Sequence, residues 1–306
     1  CFTLRAVASL EAGKLEAAFA DVEMGLFLTE CLAAEPLALS QLVRISNLEM
    51  ILQAVWEGFA AEKWTGGQLV TLEKRLAGIN LIESCRRALR CERDMANQFL
   101  DQVREDADYK KAQEIVDLAR HWPSTDPIGW LDRNQLRFNE LYMKYNRRII
   151  DTRTRTIQPS VAAEQLKYFE ENMRKPDHVI SSLIVLSIGP LVRQFGNIQT
   201  AVDQALLACK LERRKLKKGA YPAKLDELEG DLPTDPYSGK AYLYSALPGG
   251  ETTGRYQLYG IGWNLKDDSG KIVINEWGGA DNEKGDLVWS YSHPPALFDI
   301  PKPGEK

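Results

Sequence analysis

Apolar residues recur at intervals of three and four from Leu4 almost to Lys218, and at Gly219 that rhythm ends. This change of period constrains the fold more than any other feature, because a 3.6-residue repeat builds one apolar face on a helix whereas alternation builds it on a strand. A chain written this way is α+β and mainly α. The changeover segment, KKGAYPAKLDELEGDLPTDPYSGKAYLY at residues 217–244, has the chemistry to enforce the switch. Lys215, Lys217 and Lys218 complement the negative end of a helix dipole, Gly219 accepts the left-handed conformation that ends a helix, and Pro222 prevents the helix from resuming.

Upstream, breaks at Gly13, at Glu35-Pro36, at residues 63–67 and at residues 78–80 divide the first hundred residues into about five antiparallel helices. The first pair places Gly13 between two helices, with small Ala6, Ala17 and Ala20 at the contact points. It resembles a tetratricopeptide-type hairpin, although nothing recurs at a period of about 34 residues. After a Pro-, Trp- and Asp-rich connection, Asp132 is expected to cap a helix over residues 135–150, and another helix follows over residues 162–173. Lys175-Pro176-Asp177 marks the expected boundary. Residues 1–175 read as a helical bundle or repeat-like domain. Residues 176–306 read as a long helix over about 192–218 packed on a small antiparallel sheet over about 240–292. AYLYSA, RYQLYGIGW, KIVINEW and LVWSYS are the strand candidates.

Charge and cysteine usage narrow the function classes. A net charge of -4 spread over 306 residues offers no electrostatic reason to expect nucleic acid, which needs clustered, uncompensated Lys and Arg. The five cysteines form neither a C-x-x-C motif nor a spaced set with histidines, so buried thiols are expected rather than zinc or a disulfide framework. No stretch reaches the roughly 20 apolar residues of a membrane-spanning helix. The nearest, residues 179–192, is broken by Gly189-Pro190 and is expected to be a core helix. The first residues lack a signal-peptide pattern, so the chain is expected to begin inside a domain, with room for an anchor or export signal upstream of Cys1.

A long helix ending in G-x-Y-P (residues 219–222), then D-P-Y-S-G-K-x-Y-L-Y (235–244), Y-x-L-Y-G-I-G (256–262) and a Gly/Asp-rich loop (281–287) resembles the C-terminal region of the major pseudopilin of type II secretion systems. The likeness covers about 90 residues. Phe2-Thr3-Leu4 imitates the start of that family's polymerising helix, but its glutamate and long apolar run do not follow. The resemblance implies a periplasmic or exported module that binds calcium in the loop before its last strand. The implied ligands are Asn264, Asp267, Asp268, Asp281 and Asp286, with Asn282 nearby, and calcium takes six to eight oxygens from such groups. Two departures bear on this: Asn264 stands where the family has Asp, and KIVINEW interrupts the loop. Solvated turns explain the same residues.

Other candidates have structural alternatives. His121, His178 and His293 lie near prolines or loops, outside any catalytic motif. Glu140 and Asp132 beside Arg133 and Arg137 read as caps and surface pairs, and the run RTRT at residues 153–156 as a solvated connection. Trp122, Trp130, Trp263, Trp277 and Trp289 could stack on sugars, with core packing as the default. The leading expectation is a non-catalytic, bacterial envelope-associated structural or binding protein with an unidentified protein partner. The alternatives are a helical scaffold that binds a protein or peptide, and a carbohydrate-binding or hydrolytic protein.

Overall fold

A computed structural model describes residues 2–105, 127–181, 188–246, 256–276 and 280–289. Helices α1 (Phe2–Glu11), α2 (Leu15–Cys31), α3 (Ala38–Ala60), α4 (Gly66–Ala77) and α5 (Leu81–Glu105) end and begin at the breaks read from the sequence. Gly13, at φ 70°, turns α1 into α2. Thr65 and Gln68 form a reciprocal capping box at the start of α4. The turn after α2 is closed from a distance: the Gln41 amide donates to the carbonyls of Leu32 (2.8 Å) and Glu35 (2.6 Å). Buried Arg44 adds bonds to Glu30 on α2 (2.9 Å) and Ser84 on α5 (3.0 Å).

The next described helix, α6 (Pro127–Leu141), is already helical before the position the sequence implies. Asp132 therefore lies inside it, and its carboxylate accepts from Arg104 (3.0 Å) instead of capping. From α6 the chain widens into a π turn (Tyr142–Asn146), tightens through Arg147–Ile149, and enters a two-stranded hairpin, β1 (Ile150–Asp151) and β2 (Thr156–Ile157). Helix α7 (Pro159–Asn172) follows, and then α8 (Ile188–Lys218), the longest described helix at 31 residues. Gly189 and Pro190 are helical, at the start of its described residues. Part of the core helix expected over residues 179–192 lies outside the described residues.

Helix α8 is the axis of the molecule. It contacts α3, α4 and α5 on one side and α7, β4 and β7 on the other. Its buried polar residues join the two sides. Gln199 Oε1 accepts from the Leu81 N–H at the start of α5 (2.7 Å), and Gln204 Nε2 donates to the Leu287 carbonyl on the sheet (2.6 Å). The sheet is antiparallel, with β4 (Tyr256–Gly260) between β3 (Leu243–Ala246) and β7 (Leu287–Trp289). A second pair joins β5 (Ile272–Ile274) to β6 (Ala280–Gly285), the segment read from sequence as loop. The architecture is thus α+β and mainly α, with small antiparallel sheets.

One hydrophobic cluster runs without interruption from Ala6 on α1 through Phe59, Phe195 and Leu207 to Trp289 on β7. A small second cluster gathers Leu100, Val103, Trp130, Leu131 and Ile180. The boundary expected near residue 175 falls in a turn, and the main core continues across it.

Candidate functional site

Four of the five implied calcium ligands converge in one loop after β4. Asn264 Nδ2 donates to Asp268 Oδ2 (2.9 Å), and Asp286 reaches back from the far end of the β5–β6 hairpin to accept from the N–H groups of Asp268 (3.3 Å) and Gly270 (2.7 Å). Asp267 Oδ1 accepts from the Ser269 N–H (2.9 Å) and the Tyr259 hydroxyl (3.3 Å). The fifth residue, Asp281, is on β6, where its carboxylate accepts from the Glu283 N–H (3.0 Å) and pairs with Lys284 (3.4 Å). These bonds hold the Asp281 carboxyl below its ordinary range. Burial raises that of Asp286, repulsion from Asp268 and Asp267 adds to it, and the backbone donors oppose the rise. Among the described residues no group of three or more His, Cys, Asp and Glu side chains is arranged to hold a metal ion. The Asp-rich loop therefore closes largely on its own backbone donors, with mutually repelling carboxylates at its centre.

The remaining sequence candidates divide by burial. Trp130 and Trp289 are core residues, and Trp263 packs edge-on to Tyr237 with ring centroids 6.0 Å apart. Trp122, Trp277, His121 and His293 lie outside the described residues. Buried His178 bridges two partners, with Nδ1 at 2.8 Å from Asp177 and Nε2 at 2.7 Å from the Tyr168 hydroxyl. Arg137 pairs with Glu140 (2.6 Å), as expected of surface helix neighbours. The RTRT run forms the β1–β2 turn, and Arg155 departs from the solvated reading by reaching buried Asp203 on α8 (3.3 Å).

A site that the sequence reading did not assemble lies where α5 meets the π turn. Arg86, Arg90 and Arg93 stand at i, i+4 and i+7 on α5, so they share one face. Arg147 and Arg148 face them from the turn that follows the π segment, and the cleft between has a volume of about 740 Å³. Three of the five are paired, Arg86 with Glu83 (2.5 Å), Arg93 with Asp94 (2.7 Å) and Arg148 with Glu164 (3.2 Å). Arg90 and Arg147 are exposed and pair with no carboxylate among the described residues. The π turn contributes Tyr142 and Asn146. Arg93 lies over the Tyr142 ring at 4.9 Å, and burial raises the phenol's pKa although Arg93 and Arg90 oppose it, so the hydroxyl remains a neutral donor. Asn146 Oδ1 accepts from Gln165 (3.1 Å), which leaves its N–H groups as what it can offer to a ligand. Arg93, Tyr142 and Asn146 also line an adjoining pocket of about 320 Å³ whose other walls include Leu42, Leu89, Phe138 and Leu191. A π segment at such a junction is a common mark of function, because the extra residue re-aims side chains that a regular helix would bury or turn away.

No family model, curated protein or solved structure matches the chain.

Proposed function

We infer that this is a non-catalytic, bacterial envelope-associated structural or binding protein whose C-terminal region is organised like that of the major pseudopilin. The observation that carries this reading is the convergence of the segments on which the resemblance rests. The buried Asp235 carboxylate of D-P-Y-S-G-K accepts from the Tyr237 N–H (3.1 Å) and the Ser238 hydroxyl (2.7 Å), and also from the Ile261 N–H (3.4 Å) of Y-x-L-Y-G-I-G. Gly260 permits that approach, because a Cβ there would stand 3.2 Å from the carboxylate. Within G-x-Y-P, Tyr221 meets the ring of Tyr256 (5.0 Å, edge-on), and the Pro222 carbonyl accepts from the Tyr244 hydroxyl (2.8 Å). Tyr237 then ties the assembly to α8 by donating to Asn197 Oδ1 (2.6 Å). Motifs that are separately ordinary thus interlock as one unit of helix and sheet.

Fractionation of cells producing the full-length protein tests the reading, since recovery with the envelope supports it and recovery in the cytosol sinks it. Calcium is the ligand proposed for the Asp-rich loop, because the resemblance implies it and Asn264, Asp267, Asp268 and Asp286 are gathered there. A rise in Tm at millimolar calcium, lost in Asp268→Asn, is the expected result, and an unchanged Tm would remove calcium from the proposal.

A second reading, a helical scaffold that docks a protein or peptide, draws on Met24, Phe27 and Leu28 of α2 and Leu39, Val43 and Met50 of α3, all exposed. Capture of a partner by the full chain, abolished by Phe27→Asp without loss of Tm, would favour it over the first.

A further inference from the structure

We propose that the arginine-lined cleft between α5 and the π turn binds a small phosphate monoester, with the phosphate among the arginines and an apolar substituent in the adjoining pocket. The argument begins with charge. Five arginines and two carboxylates, Asp94 and Asp151, line the cleft; Asp94 pairs with Arg93 and Asp151 lies 4.0 Å from Arg153, so Arg90 and Arg147, on two different elements, form no ion pair among the described residues. Like charges converging on one cleft repel one another, so an arrangement of this kind is stabilised by an anion placed between them. The three neighbouring arginines are held by carboxylates that are themselves partly exposed. Such pairs contribute little, so they can be exchanged for a ligand at small cost.

Geometry selects the anion. A guanidinium donates as a planar fork, and a phosphate monoester presents three oxygens in tetrahedral array, which lets it accept from forks arriving on different sides. Tyr142 and Asn146 add neutral donors at the boundary between the polar cleft and the apolar pocket. The π turn is what brings both residues to that boundary. The pocket beyond is lined mainly by apolar side chains, among them Leu42, Leu89, Phe138 and Leu191, with Glu92 and Gln194 also in its wall, and at about 320 Å³ it accepts a phenyl ring or short alkyl chain but not a folded partner. A free phosphate ion would leave it empty. This inference does not rest on the envelope reading, because the arginines lie on α5 and the turn after the π segment; only the apolar pocket borders α8, through Leu191, and none of the motifs that carry the resemblance lines either cavity.

Titration calorimetry of the full chain with phenyl phosphate, inorganic phosphate and benzoate tests the assignment. Phenyl phosphate is expected to bind at least about tenfold more tightly than either comparator, and more weakly as salt rises. Arg90→Gln and Arg147→Gln should each weaken it about tenfold, the loss expected for one charge-assisted contact, while leaving Tm unchanged because both side chains are exposed. Lys217→Gln, on the far end of α8, should bind as wild type does. Equal affinity for phenyl phosphate and inorganic phosphate would overturn the role of the pocket. Benzoate binding as tightly as phenyl phosphate would overturn the headgroup, and affinity unmoved by both arginine variants would overturn the site. Co-sedimentation with phosphatidylcholine vesicles containing phosphatidic acid, reversed by phenyl phosphate, would assign a membrane-borne monoester. Binding of phenyl phosphate without co-sedimentation would assign a soluble one.

Discussion

Burial raises the Asp203 carboxyl from its ordinary 3.8 to about 6, although Arg155, Gln199 and Tyr242 all donate to it and pull the other way. Desolvation outweighs these three donors because the group is buried on α8, between the bundle and the sheet. The folded-state pKa lies above the unfolded value, so the native state holds the extra proton. This contribution to stability is complete below the unfolded pKa and is lost as pH rises through about 6. The expected outcome is that wild-type stability falls relative to Asp203→Asn between about pH 4 and pH 7, by up to about 3 kcal/mol, measured as the difference between the two denaturation curves at each pH. A pH-independent difference would refute the assignment. The Asp203 environment was not legible beforehand: Arg155 lies 48 residues away in a run that reads as solvated surface, and only the β1–β2 turn delivers it to the carboxylate.

Among the elements, the helices were the most legible. Gly13, Glu35-Pro36, Thr65 with Gln68, and Gly219 act through the chemistry of one or two neighbouring residues, so the breaks between α1 and α4 and the C-terminus of α8 follow from local sequence. Strand β6 was not legible, since ADNEKG carries no β-branched or aromatic residue and becomes extended by pairing with β5. Helix–sheet contact also reverses an ordinary expectation at Gly196. Alanine in a helix interior usually gains about 1 kcal/mol over glycine. Here a Cβ would stand 2.7 Å from Tyr237 Cζ and 2.8 Å from Ile157 Cδ1. Gly196→Ala is expected to destabilise by about 1–3 kcal/mol, seen in chemical denaturation, because the Tyr237 ring that bonds Asn197 must move. A stabilised variant would show that the helix and the turn at Asp235 are not packed as described.

For the whole molecule, the single main core has a consequence for cooperativity. Helix α8 fills the groove of α3, α4 and α5 with one face and carries the sheet on the other, so neither side buries its apolar surface alone. Full-length protein is expected to unfold in one transition, with tryptophan fluorescence and far-ultraviolet circular dichroism superimposing. A chain of residues 1–175 alone is expected to show no cooperative melt. Two separated transitions, or a cooperative melt for residues 1–175, would argue for autonomous halves.

By itself the sequence determined the mainly helical class, most helix ends and the change to a sheet after Gly219, because capping, backbone preference and hydrophobic period act over a few residues. It also supplied the residues of the Asp-rich loop, four of which the fold gathers. Only the tertiary structure decided that Asp281 stands apart, that Arg155 meets Asp203, and that three arginines of α5 face two others about 60 residues further on. Those outcomes depend on how helices and strands pack across long stretches of chain, where desolvation and charge act between groups with no local relation.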